Sequence, residues 1–325
     1  MQRIKSYTLI MLVIFLIFFT VACRPQERPE EQRQEETPPI PEEISQGEGN
    51  EPRLKVYIAD TGEIKEMAFE EYLEGVLAGE MHNDWPEEAL AAQAILARSF
   101  VMEFITDKGG SKYEGAHVST DIEEAQAWDA EQINDRIKEA VNRTRGMVAV
   151  HNNEYIKAWF HAHAGGKTAT AQEGLGFDAE EPPYIQVIES PDSEEAPEDD
   201  VNWSETFTKA EIIQALQEQG QEASDFNTIE VAETGPSGRA TVLQIGDATV
   251  NAPAFRIALD STRMKSTMIR NISVEGDQVT IEGTGYGHGV GMSQWGAYQM
   301  ANDGKSAEEI VTFYFKDVNI INLWD

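Results

Sequence analysis

The stretch MAFEEYLEGVLAGEMHNDWPEEALAAQAILARSFVMEFI, residues 67–105, sets the architecture. Phe69, Leu73, Val76 and Leu77 fall at helical spacing and predict an amphipathic helix over 67–81. Position 80 continues that apolar stripe, and it holds a glutamate. Residues 85–105 predict a second, stronger helix. Pro86 suits its first position, Glu87 and Glu88 suit the positive end of its dipole, and its alanines let a neighbour come close. A carboxylate on an apolar face loses hydration, which raises its pKa, and a carboxylic acid protonated near neutral pH is what general-acid catalysis needs. The competing reading ends the helix near Gly79 and turns Glu80 to solvent. Glycosidic cleavage usually takes two carboxylates. Asp84 and Asp121 are the residues that could fold near Glu80; if one carboxylate acts alone, the substrate must supply the nucleophile.

Outward from this pair, LKVYIAD (54–60) alternates as a strand does, and Thr61–Gly62 makes a turn. Residues 131–145 read as helix, and 146–162 as two strands about an Asn152–Asn153 turn. The acidic run ESPDSEEAPEDD (189–200) reads as a solvated loop. Residues 207–260 form a block of helix (208–219), two strands (near 226–233 and 239–246) and a short helix (near 253–260), with seams at Thr206–Phe207 and Arg263–Met264. Residues 279–304 read as strand, glycine-rich loop and helix, and another short helix and strand follow; there is no internal repeat. The expected fold is α+β. A helical segment carrying Glu80 packs on a mixed β core within a domain spanning 54–325, and 207–260 forms a small inserted α/β subdomain.

Composition narrows the function. Among 325 residues, 58 acidic side chains against 25 basic ones leave a formal charge of −33. That argues against nucleic acid as a partner and against docking on anionic lipid by charge. The single cysteine, Cys23, can form no internal disulfide, and the chain offers no thiolate metal cluster. Cys23 ends MQRIKSYTLIMLVIFLIFFTVAC, in which Arg3 and Lys5 precede an apolar run over about 7–22. This is the layout of a secretory signal. TVAC resembles the bacterial lipoprotein signal, departing from it at Thr20 where leucine is preferred; an uncleaved signal anchor is the alternative. Both place the rest of the chain outside the cytoplasmic membrane, held there only through this segment. Residues 24–53, rich in Pro, Glu and Gln, are expected to be a disordered tether.

Two further segments offer chemistry. In FHAHAGGKT (160–168), His161 and His163 are two apart; they could make polar substrate contacts, build a hydrogen-bonded turn, or begin a metal site. Gly165 and Gly166 let backbone approach a ligand. GTGYGHGVGMSQWGA (283–297) does not fit either nucleotide-binding glycine pattern. A Ser293/His288 hydrolase would lack the G-x-S-x-G elbow. The loop instead offers His288, Ser293 and Gln294, and Tyr286 and Trp295 either stack on sugars or belong to the core.

Four stretches, YLEGVLAGEMHNDWPEEALAAQAILARSF, STDIEEAQAW, AWFHAHAGGKTATAQEGLGFDAEEPPYIQVIESP and GTGYGHGVGMSQWGAYQMANDGKSAEEIVTFYF, together resemble the SpoIID/LytB family of bacterial cell-wall proteins across essentially all of 54–325. The resemblance implies a lytic transglycosylase of peptidoglycan. Such an enzyme cuts the MurNAc–GlcNAc bond of peptide-stripped strands, leaves 1,6-anhydro-MurNAc ends, and works with an N-acetylmuramoyl-L-alanine amidase during engulfment of the forespore. It also implies that Glu80 is catalytic and that His161, Gly165, Gly166, Thr168, His288, Ser293 and Gln294 belong to the substrate site, to which Tyr286 is added as a stacking candidate. The sugar's own 6-hydroxyl would then be the nucleophile, which resolves the missing second carboxylate. LytB-type relatives imply the alternative, a glycan-binding scaffold or amidase activator without turnover; an ordinary two-carboxylate glycosidase is a weaker one. Some members hold zinc through cysteines near the segment matching HVSTDIEEAQ. Here that stretch has none, and His117 alone could not hold the ion, so neither metal nor cofactor is expected. His163 departs from the small or hydroxyl residue common in the family. Since denuded glycan is anionic, a local groove collecting basic residues such as Arg98, Lys157 and Lys167 is expected.

Overall fold

The computed structural model describes residues 37–47, 50–222 and 225–325. The signal-like segment, Cys23 and residues 24–36 lie outside them. Residues 37–47 and 50–53, expected to belong to the tether, are packed on the domain. Ile44 is buried, Ser45–Gln46 pairs antiparallel with Pro52–Ile58, and the Tyr155 hydroxyl donates to Pro39 O at 3.2 Å. Two isoleucines in a polar, proline-rich run suffice here because both meet the main core.

Strand Pro52–Ile58 pairs antiparallel with Glu63–Ala68 and in parallel with Val118–Ser119. Helix Phe69–Glu80 then buries Phe69, Tyr72, Leu73, Val76 and Leu77, the face read from its spacing. Helix Glu87–Lys108 has almost no polar face, and it is buried nearly all round, as such a helix must be. It is long and apolar enough to cross a membrane, yet 83% of its most apolar window is covered by protein. Against it pack helices Asp135–Arg143, Gln294–Asn302 and Ala307–Tyr314 and strand Met147–His151, the middle of a sheet with Glu154–Tyr155 and Asn319–Asn322. Gly109, in the left-handed region at φ 72°, ends the helix.

A second core draws on Trp203, Phe207, Ile212, Leu243, Phe255 and Ile281. Strands Ile269–Glu275, Gln278–Thr284 and Asn202–Thr208 form one antiparallel sheet; Ile229–Thr234, Ala240–Ile245 and Ala248–Asn251 form another. Helices Lys209–Glu218 and Ala252–Asp260 pack with them. This core is wider than 207–260. Thr206–Phe207, read as a seam, lies inside a strand whose partners are Thr280 and Val279, and Met264 is fully buried. The two glycine-bearing segments are brought alongside each other by a parallel pairing of Phe160–His161 with Met292–Ser293, extended by bridges His163–Tyr286 and Ala169–Val290. The result is a mixed α+β fold.

Candidate active site

Glu80 is the final residue of its helix. Gly75 and Gly79, one helical turn apart, leave a flat stripe on that helix. A Cβ on Gly79 would sit 2.6 Å from Trp128 N, and one on Gly75 would sit 2.1 Å from Trp128 Nε1. The chain at 127–129 therefore lies directly on the helix. Asp129 N donates to Gly75 O at 2.9 Å, and Ala127 N donates to Glu80 Oε1 at 2.7 Å. Burial pushes the Glu80 carboxyl from its ordinary 4.5 up to about 7, against the lowering pull of the Ala127 N–H. The residue is half-buried and lines a cavity of about 410 Å³ with His82, Asn83, Asp84 and Gln132. Of the two second carboxylates considered, Asp84 shares this cavity. Asp121 is tied to Lys112 Nζ and the Tyr113 hydroxyl, both at 2.8 Å, and these hold its carboxyl down to about 2.

Gln294 joins the glycine loop to this corner: its Nε2 donates to Glu80 O at 3.1 Å. The next residue, Trp295, packs its ring 4.5 Å from that of Trp85, with Tyr298 5.1 Å from Trp85. These rings, together with His82, line a neighbouring cavity of about 630 Å³. His82 and Asp84 border both cavities.

The remaining expected site residues form a tight scaffold. His161 is buried; its Nδ1 donates to Val290 O at 3.1 Å, and its Nε2 has no partner among the described residues. Its ring lies 5.7 Å from that of His288, whose Nδ1 accepts from Val290 N at 3.0 Å. Burial, reinforced by Arg256 and Arg239, pushes His288 down to about 3; burial, His288 and Arg239 likewise hold His161 well below its ordinary value. Both rings are therefore held in the neutral form at neutral pH. His163 Nδ1 accepts from Gly165 N at 3.0 Å, so it carries no proton there, and the 3.5 Å approach of Asp192 Oδ2 is not an ion pair. The Thr168 hydroxyl is spent on Gln186 O and Ile188 N. Ser293 caps its helix through Gly296 N and donates to Asp192 Oδ1 at 2.6 Å. Gly165 and Gly166 line a third cavity with His163, Asp192 and Thr284. Tyr286 is half-buried under Lys265 Nζ, 5.0 Å from its ring centre.

Three residues invisible to sequence reasoning organise this scaffold. Asp192, inside the run read as solvated, has a buried side chain and accepts from Ser190, Ser293 and Ala164 N. Arg239 is fully buried and donates to Lys167 O and Ala164 O at 2.7 and 2.5 Å. A Cβ on Gly289 would fall 2.4 Å from the Arg239 guanidinium. Gly289 and its alternate neighbours Gly285, Gly287 and Gly291 all have positive φ, which accounts for the glycine density. Glu173, also fully buried, holds the Ser237 and Arg239 amides. Glu173 and Arg239 sit in unremarkable local contexts, so no spacing marks them.

The expected basic groove is not present as drawn. Arg98 is buried in a bidentate pair with Glu70, at 3.1 and 2.6 Å. Lys157 pairs with Glu103, and Lys167 with Glu189.

The family model for stage II sporulation protein, SpoIID, matches residues 57–151, the segment that carries Glu80 and its Ala127 donor. The chain belongs to the SpoIID family. A domain model of unknown function matches residues 152–291. An uncharacterized protein of Brachyspira hyodysenteriae is 32% identical over 265 residues, covering 80% of this chain and 68% of that one. Stage II sporulation protein D of Bacillus subtilis is 29% identical over 279 residues, 82% and 78% of the two chains. The amidase enhancer of the same organism is 26% identical over 295 residues, 75% of this chain and 39% of its own length.

Proposed function

We propose that this SpoIID-family protein acts on the bacterial cell wall as a lytic transglycosylase. It cleaves the MurNAc–GlcNAc bond of peptide-stripped glycan and leaves 1,6-anhydro-MurNAc ends. The observation that carries this reading is Glu80: a carboxyl raised to about 7, held by one backbone N–H, lining a cavity that shares His82 and Asp84 with a second, larger one. Protonated Glu80 gives its proton to the glycosidic oxygen as the bond to the anomeric carbon breaks. The resulting carboxylate then accepts the proton of the MurNAc 6-hydroxyl, whose oxygen closes on that carbon. The proton count balances and no water is consumed.

His161, His288, Ser293, Gly165, Gly166 and Thr168 fix the wall of the groove from behind. Gln294 reaches the Glu80 corner directly, and Tyr286, bridged to His163, is kept as a stacking candidate on the same scaffold. The protein works outside the cytoplasmic membrane, anchored through Cys23 or an uncleaved signal, and follows an N-acetylmuramoyl-L-alanine amidase; a role in sporulation accords with its named relatives. Similarity to an amidase enhancer supports a second reading, a glycan-bound activator without turnover. Asp84 in the Glu80 cavity supports a third, a hydrolase.

Mass spectrometry of sugars released from intact and amidase-stripped wall separates these. Anhydro ends from stripped strands, absent with Glu80→Gln, support the proposal. Reducing ends select the hydrolase. No release, with amidase stimulation retained by Glu80→Gln, selects the activator.

A further inference from the structure

We propose that the larger cavity beside Glu80 is the subsite that reads the lactyl carboxylate of N-acetylmuramic acid, with Arg136 as the reading cation; this rests on the glycan reading above. The cavity, about 630 Å³, is within the range that holds a sugar-sized ligand. It shares His82 and Asp84 with the Glu80 cavity, so a strand seated over Glu80 runs on into it. Trp85, Trp295 and Tyr298 form its aromatic wall, with ring centres 4.5 to 5.2 Å apart, and exposed His82 stands 5.4 Å from Trp85. Aromatic faces of this kind take the apolar side of a sugar ring and are indifferent to its charge.

Charge is read by the remaining groups. The cavity's ionisable carboxylates are Asp84 and Glu195, and Glu195 accepts from the Tyr298 hydroxyl at 2.7 Å. Arg136 is the cation facing them. Arg53, Arg98, Arg143, Arg145 and Arg263 each hold a carboxylate. Among the described residues Arg136, like Arg239, Arg256 and Arg270, holds none, and of these four Arg136 is the one that lines this cavity. It is exposed, and its hydrogen bond to the protein is Nη1 to Trp85 O at 3.3 Å, which anchors it to the aromatic wall and leaves most of its five donors free. A guanidinium presents paired donors that match a carboxylate. In a chain of charge −33, with Asp84 and Glu195 in the same cavity, an acidic sugar would be repelled without such a partner. A neutral aminosugar meets no such barrier and gains little from Arg136.

The test uses the full chain carrying Glu80→Gln, so that bound sugar is not cut, and two probes: neutral chitotetraose and the peptide-free GlcNAc–MurNAc–GlcNAc–MurNAc tetrasaccharide. Calorimetry at low and high salt measures both affinities. The acidic probe is expected to bind about tenfold tighter, an advantage that salt erodes. Adding Arg136→Gln removes that advantage while chitotetraose affinity stays within about twofold; Arg136→Lys restores part of it. Tyr298→Ala weakens both probes. Arg136 is exposed, so its variants fold, which circular dichroism verifies. Equal loss for both probes with Arg136→Gln, or no loss for either, overturns the assignment. If the parent chain, with Glu80 intact, still yields anhydro ends from stripped wall in that case, only the Arg136 assignment falls; if neither probe binds and the parent yields no ends, the glycan reading falls with it.

Discussion

Replacing Glu80 by glutamine should make the protein more stable, by an amount set by pH. Raising this carboxyl from 4.5 to about 7 means that the fold holds the proton more tightly than the unfolded chain does. The sign follows from linkage. Below pH 4.5 both states are protonated and no penalty exists. Between pH 4.5 and 7 the unfolded chain releases its proton first, so stability falls as pH rises. Above pH 7 both states are ionised and the penalty is constant, about 3 kcal/mol for a shift of this size. Glutamine cannot ionise, yet its carbonyl oxygen still accepts from Ala127 N. Urea titrations at half-unit steps from pH 4 to 8.5 should therefore show Glu80→Gln matching the parent near pH 4 and exceeding it by up to about 3 kcal/mol at pH 8, with loss of wall cleavage throughout. A stability difference that stays flat across this range, or a variant less stable at pH 8, would refute the claim that burial raises the Glu80 pKa. The acid role would lose its physical basis with it.

The same shift shapes the reaction. If Glu80 must start protonated, cleavage should fall about tenfold per pH unit above pH 7, as a pH–rate profile would show. Gly79→Ala forces a Cβ against the Trp128 backbone at 2.6 Å and should cost about 1–3 kcal/mol in a thermal melt while loosening the Ala127–Glu80 contact. Arg98→Met strands Glu70, whose oxygens also bind Gly146 N and Trp324 Nε1, and should cost about 3–5 kcal/mol in denaturant titration. Asp192→Asn replaces an acceptor of three hydrogen bonds with a group that also donates, and should cost about 1–3 kcal/mol.

What could be read in the sequence was local. The Glu80 stripe, the alanine-rich core helix and the Asn152–Asn153 turn each announce themselves within one or two turns of chain, and the structure places each of them where that pattern puts it. Glu80 could be suspected because a charge interrupts a period. The donor that holds it could not, since Ala127 lies 47 residues away. Strand Glu63–Ala68 was hidden because most of its residues are exposed, which leaves no alternation to detect. Asp192 and Arg98 were misread for a common reason: composition reports that a residue is charged, and only the fold reports whether its partner is water or protein. The same fact displaced the expected basic groove and left Arg136, which no pattern marks, facing the cavity.

The long span between partners has a consequence for when activity appears. Helix Phe69–Glu80 can form early in synthesis, but Gln294, which fastens its end, lies 214 residues further on, and Trp324, which completes the Glu70 network, lies 254 residues from its partner. The entire second core is threaded between His161 and Val290, which meet across 129 residues. Contacts this distant form late, after the chain between them has folded. A nascent or clipped chain lacking residues 294–324 thus carries Glu80 without the Gln294 amide that fastens the end of its helix. On the proposed function, wall cleavage is thereby withheld until the polypeptide that would control it is nearly complete.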